Sequence, residues 1–287
     1  MNKETVMYQI TETSEFMMSF VIITKNDNAI IIDGGRPLDM PLLKEYVGGR
    51  HVSAWILTHA HEDHISGFIS ECRENGLRDF DVERVYYNFP SMEMIDNHDV
   101  RDYEYFKSEL LETLPSFLEI LPSIKDIACI ATQGDTIEID EVKIDFIFSY
   151  HKELTNNLMN DSSLVFKLST PNKSVIFLGD IGPDAGDYVY FESKDKLKAD
   201  MVQMAHHGGL GCGMEIYAAI APEACLWCCR KEWYEGSYYP KVLDDRERLK
   251  ELGWMRMHKI PVTREWMEKL GVKKHYVTKD GTNKILL

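Results

Sequence analysis

The chain has 287 residues, of which 44% are hydrophobic and 28% are charged, and 47 acidic side chains against 32 basic ones give a formal net charge of −15. These values are typical of a folded globular protein and exclude a disordered chain. A surface this acidic repels phosphate backbones and anionic lipids. We therefore expect no general nucleic-acid binding and no membrane association.

The amino-terminal sequence and the cysteines bear on the compartment of the cell. No apolar run approaches the roughly 20 residues that a membrane-spanning helix needs, and residues 1–16 lack the basic start and apolar core of a signal peptide. The six cysteines include a CxxC pair, Cys225 and Cys228, inside an apolar stretch with no second CxxC to complete a zinc site. We expect a cytoplasmic protein with reduced, buried thiols.

Strand and helix patterns alternate along the whole chain. Turn residues at 25–28 separate the first two predicted strands, and the spacing of Leu110, Leu111 and Leu114 indicates the longest helix. The predicted strands are 18–24, 29–33, 54–58, 84–87, 137–148, 163–168, 174–178, 201–204, 224–229, 275–278 and 284–287. The predicted helices are 41–46, one beginning near 63, 103–121, 213–220 and 241–252. Because no linker rich in Pro, Gly or Ser divides the chain, we predict a single α/β domain over residues 1–287.

Three histidines and an aspartate directly follow the apolar strand at 54–58. His59 and His61 are two residues apart, so in an extended segment they point the same way and can bind one metal ion. Asp63 and His64 follow the turn of the chain and can face a second ion. Four ionisable groups packed together are costly to desolvate without a cation, which favours a metal site.

Two further motifs end strands later in the chain. Asp180 follows the apolar strand 174–178 and a glycine, and His206 and His207 follow the strand 201–204 and precede Gly208. Each motif alone is weak, since an aspartate after a strand is usually a turn or a helix cap. Their placement at strand ends, in order after the first cluster, makes both of them candidates for the same site.

Together these motifs resemble the metallo-β-lactamase superfamily of metallohydrolases. The resemblance runs from Asp33-Gly34 through the HxHxDH motif at 59–64 to Gly179-Asp180 and His207-Gly208. It implies an αββα four-layer sandwich with two divalent ions, Zn²⁺ first and Mn²⁺ or Fe²⁺ as alternatives, at one edge between the sheets. It further implies that Asp180 bridges the ions, that His207 is the late ligand, with His206 in a supporting position, and that Asp33 orients the site.

One position departs from many members of the superfamily. They carry another histidine, ahead of the bridging aspartate, that completes the ligands of the first ion, whereas the corresponding segment 158–165 has none. Asn160 is our candidate to line that position. The sequence Asn-Asp-Ser-Ser-Leu-Val at 160–165 resembles the corresponding segment in the branch of the superfamily that includes phosphorylcholine esterases and the hydrolase-like domain of bacterial competence proteins.

The chemistry that this resemblance implies is hydrolysis by a hydroxide held between two ions, with catalytic roles for Asp63 and Asp180. The branch and the negative net charge favour a small phosphodiester as the substrate. Tyr239, in a run of aromatic residues, and His258 are candidates for substrate binding, and His258 also for protonating the leaving group. The alternatives are hydrolysis of a lactone, thioester or β-lactam, a diiron protein that handles oxygen or nitric oxide, and a non-catalytic metal-binding protein.

Overall fold

The strands form two sheets in this computed structural model, which describes residues 4–13, 16–97, 107–237 and 241–287. The first sheet contains eight of the described strands, and the second contains seven. β-branched and aromatic residues fill most of them, as expected for strands that are buried on one or both faces.

The first sheet is antiparallel at one end and parallel at the other. Its strands are β1 (Val6–Gln9), β2 (Ser19–Ile23), β3 (Ala29–Asp33), β4 (His51–Ile56), β5 (Asp81–Val82), β6 (Val85–Tyr87), β7 (Ala128–Ile130) and β15 (Asn283–Leu286). The order is β15-β1-β2-β3-β4-β6-β7, with β5 paired to β4. The pairs from β15 to β3 are antiparallel, whereas β3, β4, β6 and β7 run parallel.

The second sheet has the same mixed character. Its strands are β8 (Thr136–Ile139), β9 (Val142–Phe148), β10 (Val165–Ser169), β11 (Ser174–Phe177), β12 (Met201–Gln203), β13 (Ala224–Trp227) and β14 (Lys274–Val277). The order is β14-β13-β12-β11-β10-β9-β8. Strands β11 to β14 are parallel, so their carboxyl ends meet at one edge of the sheet.

Helices cover the outer face of each sheet. The described helices are α1 (Met40–Val47), α2 (Glu62–Asn75), α3 (Met92–Asn97), α4 (Lys107–Ile120), α5 (Leu158–Asp161), α6 (Pro183–Ser193), α7 (Met214–Ile220), α8 (Lys231–Tyr234), α9 (Arg246–Leu252) and α10 (Ile260–Lys269). Apolar side chains of α1, α2 and α4 pack on the first sheet, and those of α6, α7 and α10 pack on the second.

A third apolar cluster lies between the two sheets. Phe20 and Ile32 of the first sheet belong to the same buried cluster as Phe166, Phe177 and Leu226 of the second. The rings of Phe20 and Phe177 meet edge to face with centroids 5.1 Å apart. Helices, sheet, sheet and helices therefore form four layers, which confirms the αββα sandwich that the sequence predicts.

Most predicted elements are present, with some shifts. The predicted strand 137–148 is a hairpin of β8 and β9, because Asp140 turns the chain at a positive φ of 54°. The predicted strand 54–58 is shifted to His51–Ile56, and 241–252 is a 3-10 turn followed by α9. Of the predicted helix 103–121, residues 103–106 lie outside the described part, and α4 covers 107–120.

The sequence patterns missed β1, β5, β7, α3, α5, α6, α8 and α10. All six cysteines are free, and five of them are buried. Among the described residues no helix combines the length and the apolar character needed to cross a bilayer. The single domain and the cytoplasmic location stay predictions.

Candidate metal centre

The candidate ligands lie where loops from the two sheets meet. The segment after β4 carries His59 and His61, the loop after β11 carries Asp180, and the 3-10 turn after β12 carries His207. Two backbone hydrogen bonds join these loops, because Leu164 N donates to the carbonyl of Thr58 at 2.9 Å and His206 N donates to that of Gly179 at 3.1 Å. The sandwich thereby brings together three stretches that are far apart in sequence.

Asp33, at the end of β3, holds the first motif through a network of four hydrogen bonds, three of its own and one through Thr58. Its Oδ1 accepts the backbone N–H of Thr58, and its Oδ2 accepts the Thr58 hydroxyl and His64 Nδ1–H, each at 2.7 Å. The Thr58 hydroxyl oxygen in turn accepts His59 Nδ1–H at 3.2 Å. With both Nδ1 atoms protonated, the Nε2 atoms of His59 and His64 present lone pairs to the site, as metal ligands require.

Four donor atoms form a compact polyhedron. Asp180 Oδ2 lies 3.4 Å from both His64 Nε2 and His207 Nε2. Asp63 Oδ2 lies 3.5 Å from His64 Nε2 and 2.9 Å from His207 Nε2. Four ligands at about 2.0–2.2 Å from a tetrahedral ion are separated from one another by roughly 3.3–3.6 Å. Three of the four nitrogen–oxygen separations fall in this range and the fourth is shorter, so these donors are spaced as ligands of a shared ion would be.

His207 is fixed in the orientation that a ligand needs. Its Nδ1–H donates to the carbonyl oxygen of Cys228 at 2.7 Å, which leaves Nε2 directed at Asp63 and Asp180. The turn that carries it is strained, since His206 and His207 both have positive φ values, of 51° and 56°. Strain of this kind in a non-glycine residue is typical of functional sites.

A second set of donors adjoins the first. His59, His64 and Asp180 offer ligand atoms within 4.8 Å of one another, as do Asp63, His64 and His207. The Nε2 of His59 and the Oδ1 of Asp180 are buried and make no hydrogen bond. His61 belongs to neither set, although its ring centroid lies 4.7 Å from that of His59. Buried imidazole nitrogens and carboxylate oxygens that point at one another fit a divalent cation, whose charge would take the place of protons there.

The charges within the cluster act on one another strongly. Burial lowers the pKa of His59, and it lowers the pKa of His61 to about 4, so both imidazoles are neutral and able to bind a metal. Burial alone would also lower the pKa of His207, but Asp180 and Asp63 outweigh it and raise that pKa to about 10. The same carboxylates, with Asp33, raise the pKa of His64 well above its usual value. The carboxylate-rich half of the cluster thus attracts cations.

Asp180 is held in place by the neighbouring sheet. Its backbone N–H donates to Ser163 Oγ at 3.0 Å, and the side chain of Gln203 brackets the preceding residues by accepting Leu178 N–H and donating to the carbonyl of Gly179. Gly179 has a φ of 52°, and a Cβ there would approach the Ser163 side chain to 2.7 Å. A glycine before this aspartate is therefore required by both backbone conformation and space.

The structure brings five of the predicted ligands into two sets of neighbouring donors, places the His61 ring beside that of His59, and locates most of the other candidates as follows. Asn160 is fully buried in α5, where its Nδ2 donates to Asn157 and its Oδ1 has no hydrogen-bond partner. His206 lies with its Nε2 3.8 Å from Asp180 Oδ2. His258 packs on Trp266, and burial lowers its pKa to about 4, which disfavours a role as proton donor at neutral pH. Tyr239 lies outside the described residues.

An aromatic wall beside the cluster combines Trp233, which begins the aromatic run considered for substrate binding from the sequence, with Phe16, which the sequence did not indicate. The ring of Phe16 meets that of His207 with centroids 5.2 Å apart and that of Trp233 at 5.1 Å. Both Phe16 and Trp233 are partly exposed, so they border the approach to His207. Phe16 and Trp233 lie 217 positions apart in the chain, and no local sequence pattern pairs them.

Comparison with known proteins agrees with this fold. A family model described as the metallo-beta-lactamase superfamily matches residues 17–210. The chain belongs to that superfamily, whose members are metal-dependent hydrolases. No curated protein matches the sequence significantly.

Solved structures with the same fold are distant in sequence. The metallo-beta-lactamase fold protein YhfI from Bacillus subtilis has a TM-score of 0.52 at 12% identity, over 98% of this chain and 100% of that one. CmlA, a diiron β-hydroxylase from Streptomyces venezuelae, has a TM-score of 0.55 at 11% identity, over 100% of this chain and 55% of that one. At such low identity the likeness concerns the fold alone.

Proposed function

We propose that this protein is a dinuclear metal-dependent hydrolase that cleaves a small phosphodiester. The observation that carries the proposal is the cluster of Asp63, His64, Asp180 and His207, in which four nitrogen–oxygen separations of 2.9–3.5 Å suit ligands of a shared ion, next to a second set of buried donors. Zn²⁺ suits this mixture of imidazoles and carboxylates, and Mn²⁺ and Fe²⁺ are the alternatives.

Two divalent ions bound there would lower the pKa of water toward neutrality and stabilise negative charge in the transition state. Asp180 has one carboxylate oxygen 3.4 Å from His207 Nε2 and one buried oxygen without a hydrogen bond, so it would be able to bind both ions. Asp63, whose Oδ2 lies 2.9 Å from His207 Nε2, would hold the second ion together with that imidazole. Asp33 keeps two imidazoles in the tautomer that binds metal.

Three observations support a small diester as the substrate. A segment without a histidine, at 158–165, is similar to that of phosphorylcholine esterases and competence-protein hydrolase domains. A formal charge of −15 opposes long nucleic acids. The aromatic wall of Phe16 and Trp233 offers an apolar surface beside His207 on which one ester group can rest.

A comparison of substrates tests this proposal. Protein reconstituted with Zn²⁺ or Mn²⁺ is assayed with a chromogenic bis-aryl phosphate, the matching monoester, a lactone and a chromogenic β-lactam. We expect the diester to give the highest kcat/KM. A preference for the lactone or the β-lactam would replace the phosphodiester with a carboxyl derivative, and no hydrolysis at full metal loading would contradict the hydrolase proposal.

Two aspartates that lie near strand ends provide the matched variants. Asp180→Asn is expected to lower kcat/KM for the diester by about 100-fold or more, because it weakens the shared ligand of both ions. Asp200→Asn changes a carboxylate that accepts hydrogen bonds from the backbone N–H and hydroxyl of Ser174, outside the cluster. That variant is expected to retain the rate within a factor of about two, as a change away from the reacting atoms should.

A further inference from the structure

The aromatic wall beside His207 is built from both sheets of the sandwich. Phe16 lies ahead of β2 in the first sheet, and Trp233 lies in α8, which follows β13 of the second. Two residues after Phe16, the backbone N–H of Met18 donates to the carbonyl oxygen of Asp63 at 3.1 Å. Because Asp63 is a proposed metal ligand, this hydrogen bond ties the segment that carries Phe16 to the metal centre.

Trp233 is held through the residue that follows it. The Tyr234 ring meets that of Trp227 edge to face, with centroids 5.5 Å apart. Arg264 Nη1–H donates to the Tyr234 carbonyl oxygen at 3.1 Å. Phe16 and Trp233 are nevertheless partly exposed, and rings that are both fixed and exposed lose little side-chain freedom when a ligand packs on them. The wall is therefore preorganised for binding.

Cations of the protein already lie against the aromatic rings of this region. The guanidinium carbon of Arg36 is 5.7 Å from the centroid of the Phe16 ring. That of Arg264 is 4.6 Å from the centroid of the Tyr234 ring, and Lys279 Nζ is 5.7 Å from it. All three distances are within the roughly 6 Å over which a cation is attracted to the face of an aromatic ring. The electron-rich ring faces that a cationic ligand would need are thus shared with side chains of the protein.

These protein cations favour one kind of ester group over another. A quaternary ammonium group binds to the face of an aromatic ring, and at Phe16 it would compete with Arg36, which an ion pair of 2.6 Å with Glu62 holds in place. A neutral planar group has no such competitor, because it can pack offset or edge to face against a ring and can also stack on a guanidinium. A planar group therefore suits this surface better than a quaternary amine.

We propose that Phe16 and Trp233 bind a neutral planar ester group of the substrate and discriminate against a quaternary amine. This inference rests on the proposed phosphodiesterase function and narrows its substrate class to diesters whose alcohol carries an aryl ring or a nucleobase. The centroids of Phe16 and His207 are 5.2 Å apart, so the ester group of a phosphate bound to the ions would lie next to the wall. The phosphorylcholine esterases that segment 160–165 resembles thus guide the reaction type and not the alcohol.

Binding of phosphate monoesters tests the assignment without turnover. Zinc-loaded protein is titrated by calorimetry with phenyl phosphate, thymidine 5′-monophosphate, phosphorylcholine and methyl phosphate at about pH 8, above the second phosphate pKa of about 6. All four ligands carry the same phosphate group, so the ratio of each Kd to that of methyl phosphate reports the contribution of the ester group. We expect at least one of the two planar ligands to bind about 10-fold more tightly than methyl phosphate, which identifies the group as an aryl ring or a nucleobase, and phosphorylcholine to bind within about threefold of methyl phosphate.

Variants of the wall assign the preference to its rings. Trp233→Leu and Phe16→Leu each remove one ring, so each should reduce the preference for the planar ligand by about threefold or more, whereas Trp233→Phe should retain most of it. Phe191→Leu is the matched control, because that ring is 76% exposed on α6, and its ratios should equal those of the wild type. Arg36→Gln frees one face of Phe16, so phosphorylcholine should bind about threefold more tightly relative to methyl phosphate.

Several results would overturn the inference. They are tighter binding of phosphorylcholine than of either planar ligand, equal Kd values for all four ligands, a planar preference that survives both leucine variants, and an unchanged phosphorylcholine ratio in Arg36→Gln. Absence of monoester binding by protein that holds its zinc would overturn it as well. The diester assay decides the proposed function separately, because a planar preference in a protein that hydrolyses no diester would contradict the hydrolase and leave the wall as a ligand site.

Discussion

Asp33 illustrates how a residue that would touch no ion can decide whether the ions bind. Burial raises its pKa, against the opposing effects of His64 and of the Thr58 hydrogen bonds. Its position is costly in two respects, because the carboxylate is fully buried and the backbone has a φ of 54°. Such a residue is retained in a protein when its hydrogen bonds orient groups that matter for function.

Replacing Asp33 with asparagine should weaken metal binding without unfolding the protein. The carboxamide can still accept from Thr58, but it no longer supplies the charge that keeps His64 Nδ1 protonated. We expect Zn²⁺ affinity to fall about 10–100-fold, as for other residues that orient ligands. Competition with a chromogenic chelator measures it, and Asp200→Asn, whose carboxylate binds Ser174 instead, is the matched control. Wild-type affinity in Asp33→Asn would refute the orienting role.

Gly208 shows a second constraint at the residue scale, since it follows His207 and lies against the ring of Trp227. A Cβ on Gly208 would be 2.5 Å from two ring carbons, and its φ is 95°. Gly134 has almost the same φ, 97°, but nothing within 4 Å of its Cβ position. Comparing substitutions at the two glycines therefore separates the cost of backbone strain from the cost of steric overlap.

Alanine at each of these glycines should destabilise the protein by different amounts. Gly134→Ala is expected to cost about 1–2 kcal/mol, from the left-handed backbone alone. Gly208→Ala is expected to cost about 1–3 kcal/mol more, because the methyl group must displace a buried ring. Urea unfolding of both metal-free variants measures the difference. Equal losses would mean that the Trp227 ring moves aside freely.

At the scale of elements, the start of β4 is linked to β5 by an ionic contact remote from the site. His51 Nδ1 lies 2.8 Å from Asp81 and its Nε2 lies 3.2 Å from Glu83. The hydrogen bonds to Asp81 and Glu83 raise the pKa of His51 above 6.5. A pKa that is raised in the folded state stabilises the protein fully below the unfolded value and loses that effect as the pH rises through the folded value.

The His51 contact should therefore give a pH-dependent stability difference. His51→Gln is expected to be less stable than wild type at pH 6, where the imidazole is charged, by about 0.2–1 kcal/mol, since these groups are exposed. The gap should shrink at pH 9. Urea unfolding of both metal-free proteins at the two pH values measures it, and other titrating groups cancel in the difference. A gap that is unchanged between pH 6 and pH 9 would contradict an ionic contribution.

The elements also show which parts of the fold sequence patterns can predict. Strands such as β3 and β11 are continuous apolar runs with turn residues at their ends, so local sequence defines them. Helix α6 escaped prediction because its buried positions include the small residues Pro183, Ala185 and Gly186, which leave no distinct apolar period. The hairpin of β8 and β9 was read as one strand, because apolar residues continue on both sides of the turn at Asp140.

The site divides in the same way. Each ligand motif can be recognised from local sequence, because it directly follows an apolar strand. That the motifs belong to one site is indicated by the family resemblance. The carbonyl of Cys228 that orients His207 and the ring of Phe16 that packs on it are long-range contacts. No spacing in the sequence encodes those contacts, because they depend on how the two sheets are stacked.

For the whole molecule, ions at the junction of two sheets should stabilise the fold. The donors come from loops after β4, β11 and β12, so an ion that binds them all favours the folded state. We expect chelation to lower the Tm of the wild-type protein. The free energy of unfolding should fall by about 4 kcal/mol for an ion whose free concentration was initially a thousand times its Kd. The same chelator should shift the Asp180→Asn variant less. An unchanged Tm at zero metal content would contradict this coupling.

The location of bound metal tests the central claim most directly. Crystals of the zinc-reconstituted protein, measured at the zinc absorption edge, should give two anomalous peaks about 3.5–4 Å apart. One peak should contact Asp63, His64 and His207, the other should contact His59 and His61, and Asp180 should contact both. Zinc bound elsewhere on the protein, with no peak among these six side chains, would contradict the account.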